Sequence, residues 1–122
     1  MAKKQSAVFK KMLTVYFYKE SSGSTPVLNW LKELPKSDRL LIGQDLQTLQ
    51  FRWPLGMPLV RSLDHGMWEF RSHLHNRIAR IIFVVNNNQI VALHGFIKKT
   101  QKTPQQDLKL ALTRLKKLET RE

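Results

Sequence analysis

The sequence predicts a small α+β domain in which an antiparallel sheet of about four strands carries an N-terminal αα-hairpin and a C-terminal helix. A β-rich segment near the start is followed by two segments with helical periodicity. Three strand-like runs with short links come next, and a last helical segment closes the chain. Because short links favour antiparallel pairing, the predicted order of elements is β-α-α-β-β-β-α.

The N-terminal half is predicted to form one strand and two helices. Residues 13–18 are rich in β-formers and predict the strand. Thr25-Pro26 is typical of an N-cap followed by proline in the first helical position, and Pro35 ends that helix. Ser37 or Asp38 is expected to cap the second helix. Two prolines and a glycine soon after it predict a break before the strands.

The C-terminal half is predicted to form a three-stranded meander and a helix. The strand-like runs cover residues 67–73, 78–85 and 89–97, and the second is almost entirely apolar, which indicates a central strand covered on both faces. Three asparagines, 86–88, predict a tight hairpin, since asparagine tolerates the left-handed backbone. Thr103-Pro104 is expected to start the last helix, with threonine as its N-cap.

Length and composition predict a single domain with a polyanionic partner. The 122 residues are interpreted as one domain, 1–122, whose residues 1–12 form a flexible basic arm. A formal charge of +12 favours nucleic acid, an acidic protein or an anionic membrane surface as partner. The absence of cysteine excludes disulfides and thiolate chemistry and fits a cytoplasmic protein. Neither a transmembrane helix nor a metal or cofactor motif is recognisable.

Arginines within the predicted meander are the first candidates for a functional site. Glu69, Arg71 and His73 share one face of their strand, and Arg71 is predicted to point to the accessible side because the other face is apolar. Arg80 lies in the apolar central strand, where it is costly unless paired or exposed. One interpretation is a cationic groove in which both arginines bind phosphate oxygens. The alternative for Arg80 is a structural salt bridge to Glu69 or Asp45.

The segment from His94 to Pro104 combines an imidazole with three lysines at the end of the last predicted strand. Strand alternation places His94, Phe96 and Lys98 on one face and Leu93 on the other. His94 is a candidate general acid or base, although a core histidine bonded to backbone is the simpler interpretation. The lysines could bind phosphates or protonate a leaving oxygen, although a solvated strand end is the common alternative. These lysines are Lys98, Lys99 and Lys102.

The chain resembles the HigB/RelE superfamily of type II toxins, in particular its branch of phage-derived Gp49-like proteins. The resemblance covers about residues 13–118, and its most specific part is the His-Gly-Phe-Ile-Lys-Lys-Thr-Gln-Lys-Thr-Pro string. The other matching residues are Leu63, the run from Gly66 to Arg71, the run from Arg80 to Phe83, Ala111 and Arg114.

The resemblance implies a ribosome-dependent, metal-independent mRNA endonuclease that inhibits translation. Its implied partners are the ribosome, mRNA and a cognate helix-turn-helix antitoxin of the HigA type, with operator DNA contacted only through the antitoxin. The implied protein is a cytoplasmic hydrolase without a cofactor. The implied catalytic residues are Arg71, Arg80, His94 and Lys98, and the candidate RNA-binding residues are Lys99, Lys102, Arg77 and Arg61.

Two other functions fit the sequence. One is a toxin of the same fold that inhibits DNA gyrase by binding, without nuclease chemistry. The other is a small RNA- or DNA-binding module, whose affinity would fall steeply as salt rises. The antitoxin is expected to contact either the basic groove or the αα-hairpin around Trp30.

Overall fold

The computed structural model describes residues 13–54, 59–98 and 103–121, so the basic arm predicted at residues 1–12 lies outside the described residues. Five strands and three helices make up this part of the chain, which confirms the predicted α+β class. The strands are β1 (Thr14–Phe17), β2 (Val60–Ser62), β3 (Trp68–Leu74), β4 (Arg77–Asn86) and β5 (Gln89–Lys98). The helices are α1 (Pro26–Glu33), α2 (Lys36–Arg52) and α3 (Gln105–Arg121).

The strands form one mixed sheet in the order β1-β5-β4-β3-β2. Strands β2 to β5 form the predicted antiparallel meander, extended by the short β2. Strand β1 pairs in parallel with β5, so that Thr14 lies beside Gln89, which differs from the all-antiparallel prediction. The connection from β1 to β5 contains both helices and β2 to β4, which is long enough for parallel pairing. Strand β2 was missed because three residues are too few to establish an alternating pattern.

The end of α2 covers the outer edge of β1. The backbone N–H of Leu13 donates to the carbonyl of Gln50 at 3.2 Å. The N–H of Val15 donates to the side-chain oxygen of the same glutamine at 2.7 Å. An exposed edge strand can pair with another chain, and Gln50 occupies that edge here.

Helices cover both faces of the sheet. Helices α1 and α2 pack on one face, in a cluster that includes Ile42, Leu49, Phe70 and Ile81. Helix α3 packs on the other face, in a cluster that includes Ile82, Leu93, Ala111 and Leu115. Each face of the sheet therefore has its own apolar core. We call the face on which α3 packs the α3 face.

Local signals placed the hairpin between β4 and β5 and the start of α1 correctly, whereas α3 begins at Gln105, one residue after the predicted Pro104. Asn87 and Asn88 have φ values of 48° and 67°, which confirms the left-handed hairpin. Pro26 is the first residue of α1, as predicted. The caps predicted for α2 at Ser37 or Asp38 are wrong, since that helix begins at Lys36 and has no side-chain cap.

Candidate functional site

Three arginines and one glutamate lie together on the α3 face of the sheet. Arg71 lies directly opposite Arg80 in the pairing of β3 with β4. Arg61 lies opposite Glu69 in the pairing of β2 with β3. The structure therefore brings together three of the eight predicted site residues around a glutamate that was not among them. We call this group the arginine cluster.

Glu69 is the centre of the arginine cluster and is fully buried. Its Oε1 accepts a hydrogen bond from Arg71 Nε at 3.2 Å, and its Oε2 lies 3.7 Å from Arg80 Nη1. The hydroxyl of Thr103 donates a short hydrogen bond to the same Oε2. Thr103 was predicted only as an N-cap, whereas its hydroxyl links the start of α3 to Glu69.

The arginines of this cluster are less accessible than the sequence suggested. Arg71 is 9% exposed and Arg80 is 1% exposed. The prediction that Arg71 points to the accessible side is wrong, because α3 packs on the face opposite α1 and α2. The salt bridge between Arg80 and Glu69, considered as the structural alternative, is present.

The charge of the cluster is strongly positive, since one carboxylate faces several guanidinium groups. Burial lowers the pKa of Arg80, and the nearby charges of Arg71 and Arg61 lower it further. Glu69 opposes this shift and favours the charged form. Arginine nevertheless stays protonated in proteins, so the cluster retains its positive charge.

His94 belongs to a second group of polar side chains on the α3 face. Its Nε2 lies 2.6 Å from Oδ1 of Asp107, in the first turn of α3. Its Nδ1 lies 3.5 Å from Nη1 of Arg114, which also donates to the carbonyl of Leu93 at 2.7 Å. Because arginine can only donate, Nδ1 is assigned as the acceptor and Nε2 as the nitrogen that donates its hydrogen to Asp107.

An irregularity in β5 turns His94 toward α3. The pairing of β4 with β5 shifts between Ile82 and Phe83, which face His94 and Ala92, so Leu93 is an extra residue. Leu93 therefore packs on the α3 face beside His94, whereas simple alternation predicted opposite faces. Phe96 stacks on the imidazole, with the ring centroids 5.4 Å apart and the planes inclined by 22°.

The His94 group and the arginine cluster are neighbours on the sheet. Arg80 and Ile82 share a face of β4, and His94 lies opposite Ile82 on β5. Arg80 and His94 are therefore diagonal neighbours on adjacent strands, within roughly 7–8 Å by Cα geometry. Neither Asp107 nor Arg114 was predicted as a partner of His94. Their spacing of seven residues, which places them on one side of a helix, is the signal that could have joined them to His94.

The other predicted site residues lie elsewhere or outside the described residues. Arg77 lies on the opposite face of the sheet, where its Nη2 is 3.0 Å from Oδ1 of the buried Asp38. Lys98 ends β5, with its backbone beside Ile78. Lys99 and Lys102 lie outside the described residues.

Neither metal ligands nor a membrane span is recognisable in the part of the chain that the structure describes. There, no three histidine or carboxylate side chains group closely enough to hold a metal ion. None of the described helices has the length and apolar character needed to cross a membrane.

Comparison with known proteins identifies the family. No curated protein sequence matches this chain. The family model "Phage derived protein Gp49-like (DUF891)" matches residues 29–116, which include the arginine cluster, His94 and Arg114. That family lies within the RelE/HigB-like toxin superfamily, and a toxin of this kind implies an antitoxin partner. The chain therefore belongs to the Gp49-like family of phage-derived proteins, a family of toxins of the RelE/HigB type.

Proposed function

We propose that the protein is an endoribonuclease that cleaves ribosome-bound mRNA and thereby inhibits translation. Family membership supports a toxin, and the formal charge of +12 supports a polyanionic target. The observation that carries the proposal is the convergence of Arg61, Arg71 and Arg80 on one face of the sheet, with His94 on the adjacent strand.

The proposed chemistry requires no metal ion. A base removes the proton of a 2′-hydroxyl, the 2′-oxygen attacks phosphorus, and the bond from phosphorus to the 5′-oxygen breaks. An acid protonates the departing 5′-oxygen, which leaves a 2′,3′-cyclic phosphate and a 5′-hydroxyl. Guanidinium groups stabilise the charge that develops on the phosphorane oxygens. Arg71 and Arg80 are the residues proposed for this role.

His94 is proposed to transfer a proton in this reaction. Its Nε2–H is held by Asp107, which fixes the orientation of the ring. Its Nδ1 has only a long contact of 3.5 Å with Arg114, so this is the nitrogen best able to accept a proton. Lys98 is the other candidate for protonating the leaving oxygen. Lys99 and Lys102 are proposed to bind the RNA backbone.

The pairing of the arginines with Glu69 supports a dependence on the ribosome. A phosphodiester entering the arginine cluster has to compete with a carboxylate that already holds Arg71 at 3.2 Å. A freely diffusing RNA loses orientational entropy in addition to overcoming this competition. An mRNA held by the ribosome is already oriented, which lowers that cost.

The proposed antitoxin is a helix-turn-helix protein of the HigA type.

Burial of the same ion pair favours a second candidate function. Glu69 is 0% exposed and Arg80 only 1%, which is typical of a structural salt bridge. A toxin whose arginines only stabilise the sheet would act by binding, for example to DNA gyrase. This candidate predicts inhibition of DNA supercoiling without RNA cleavage.

The test is mRNA cleavage mapped by primer extension, with and without translating ribosomes. We expect cuts only with ribosomes, and loss of those cuts in Arg61→Gln and His94→Gln. These two positions are chosen because replacing Arg80 would leave Glu69 buried beside fewer counter-charges. Arg39→Gln is the matched control, since it removes one positive charge from the exposed surface of α2.

Thermal unfolding of each variant separates lost chemistry from lost structure. Variants that melt like the wild type but no longer cleave support the proposed roles. Cleavage retained in both Arg61→Gln and His94→Gln would remove these residues from the mechanism. Absence of cleavage under either condition, together with inhibited supercoiling, would replace the nuclease by the gyrase-binding toxin.

A further inference from the structure

An open cleft lies beside the arginine cluster, between β2 with the turn that follows it and α3. Its volume is about 510 Å³, within the range of roughly 300–1,000 Å³ found for small-molecule sites. The apolar part of its lining consists of Leu63, Met67, Leu108 and Leu112. A flat apolar group of the size of a nucleobase fits such a floor.

The polar residues of the cleft offer charges of both signs. Arg61, Asp64 and His65 line one side, and Lys109 lines the other. Within the described part of the chain, the side chains of Asp64, His65 and Lys109 enter no ion pair or hydrogen bond. These groups are therefore available to a ligand. The combination of two cations and one carboxylate suits a ligand that carries both an anion and N–H donors.

The turn that forms one wall of the cleft has an unusual backbone. His65 has φ 64° and ψ 25°, in the left-handed region that residues other than glycine rarely adopt. Gly66 follows with φ 77°, and the turn is closed by a hydrogen bond of 2.8 Å from Leu63 N–H to the carbonyl of Met67. This conformation holds Asp64 and His65 at the cleft. Left-handed residues cluster at ligand-binding sites, which supports a functional interpretation of the turn.

Arg61 connects the cleft to the arginine cluster. It lines the cleft, it lies opposite Glu69 in the sheet, and its charge acts on Arg80. A nucleotide in the cleft would therefore have its phosphate at the edge of the site proposed for cleavage. An apolar peptide in the cleft would leave the charges of Arg61, Lys109 and Asp64 without partners. The charge pattern therefore favours a nucleotide.

We propose that this cleft binds one nucleotide of the target RNA and prefers guanine. The inference rests on the proposed endoribonuclease function. The base packs on the apolar floor, Arg61 and Lys109 bind the phosphate, and the carboxylate of Asp64 accepts hydrogen bonds from the base. Guanine is the best match, because its N1–H and N2–H lie side by side and can reach both oxygens of one carboxylate.

The test is titration of the ¹⁵N-labelled full chain with 5′-GMP, 5′-AMP, 5′-CMP and 5′-UMP, followed by NMR. We expect GMP to shift the amide signals of residues 61–67 and 105–112 and to bind at least fivefold more tightly than the other three. Lys109→Gln should weaken GMP binding about tenfold, as expected for the loss of a charge-assisted contact. Asp64→Asn should abolish the preference for guanine.

Two further variants make the test specific. Lys117→Gln removes the same charge from an exposed position of α3 outside the cleft, and it should leave GMP binding unchanged. His65→Gly removes the imidazole without straining the backbone, because glycine adopts a φ of 64° readily. It should preserve the thermal stability and weaken GMP binding.

The outcomes distinguish this inference from the proposed function. GMP binding in the cleft without mRNA cleavage would support the nucleotide site and overturn the proposed endoribonuclease function. Cleavage without any nucleotide-dependent shift at the cleft would overturn the inference and leave the nuclease intact. Equal loss of binding in Lys109→Gln and Lys117→Gln would mean only general attraction to a basic surface.

Discussion

The contact between Gly95 and Trp30 gives the sharpest prediction about the fold. A Cβ added at Gly95 would lie 2.5 Å and 2.6 Å from two ring carbons of Trp30. Trp30 is partly buried and packs against the apolar core between α1 and the sheet, so a shift of its ring would disturb that packing. Overpacking of a core costs about 1–3 kcal/mol. Gly95→Ala is therefore expected to lower the melting temperature by roughly 4–12 °C, since 1 kcal/mol corresponds to about 4 °C in a domain of this size.

A second glycine provides the matched control. Gly43 lies inside α2, and a Cβ there would meet nothing within 4 Å. Gly43→Ala should therefore stabilise the protein by about 0.5–1 kcal/mol, because alanine is the better helix former. The assay is thermal unfolding followed by circular dichroism, with the free energy of unfolding taken from denaturant titration.

A double-mutant cycle identifies the cause of the loss. Trp30→Leu removes the ring carbons that a new Cβ would meet. By itself it should lower the stability, but in its presence Gly95→Ala should be less destabilising. A coupling energy of about 1 kcal/mol or more is expected for residues in contact. The reasoning is refuted if Gly95→Ala melts like the wild type, or if the two substitutions are additive.

Three other perturbations probe the polar contacts of the fold and the site. Glu69→Gln should lower the free energy of unfolding, measured by denaturant titration, by about 3–5 kcal/mol, because it leaves buried arginines without their counter-charge. A variant as stable as the wild type would contradict the structural role of the ion pair. Asp107→Asn should lower the stability by about 1–2 kcal/mol, because it weakens the charge-assisted bond to His94, and hydrogen exchange should be faster in the first turns of α3. Gln50→Ala should lower the free energy of unfolding by about 1 kcal/mol, because it removes the acceptor of Val15 N–H. It should also increase self-association in size-exclusion chromatography, because the edge of β1 is uncovered. Unchanged elution would show that Gln50 does not protect that edge.

Local patterns in the sequence predicted most of the elements. Residues 78–85, almost all apolar, correctly indicated the central strand, since this composition is typical of a strand covered on both faces. Asn87 and Asn88 correctly indicated the hairpin, because a left-handed backbone is a local property of these residues. Pairing between distant segments leaves no such local signal, so the parallel contact of β1 with β5 was not foreseen.

The candidate site was predicted less completely for two physical reasons. The alternation of side chains along a strand predicts which of them share a face of the sheet, but it does not predict what covers that face. Arg71 was expected on the accessible side, whereas Glu69 holds it in a buried ion pair. The extra residue in β5 also reversed the predicted face of Leu93, since a bulge interrupts the period of two on which alternation depends.

The parallel pairing of β1 with β5 has a consequence for synthesis of the chain. Thr14 is translated well before its partner Gln89, since residues are added at about 5–20 per second. The inner edge of β1 therefore has no partner for several seconds while the chain grows. A premature stop before β5 would remove both that partner and His94, and it would leave β1 unpaired in the truncated product. The sheet is completed only after β5 has been made, so the fold and the candidate site form together.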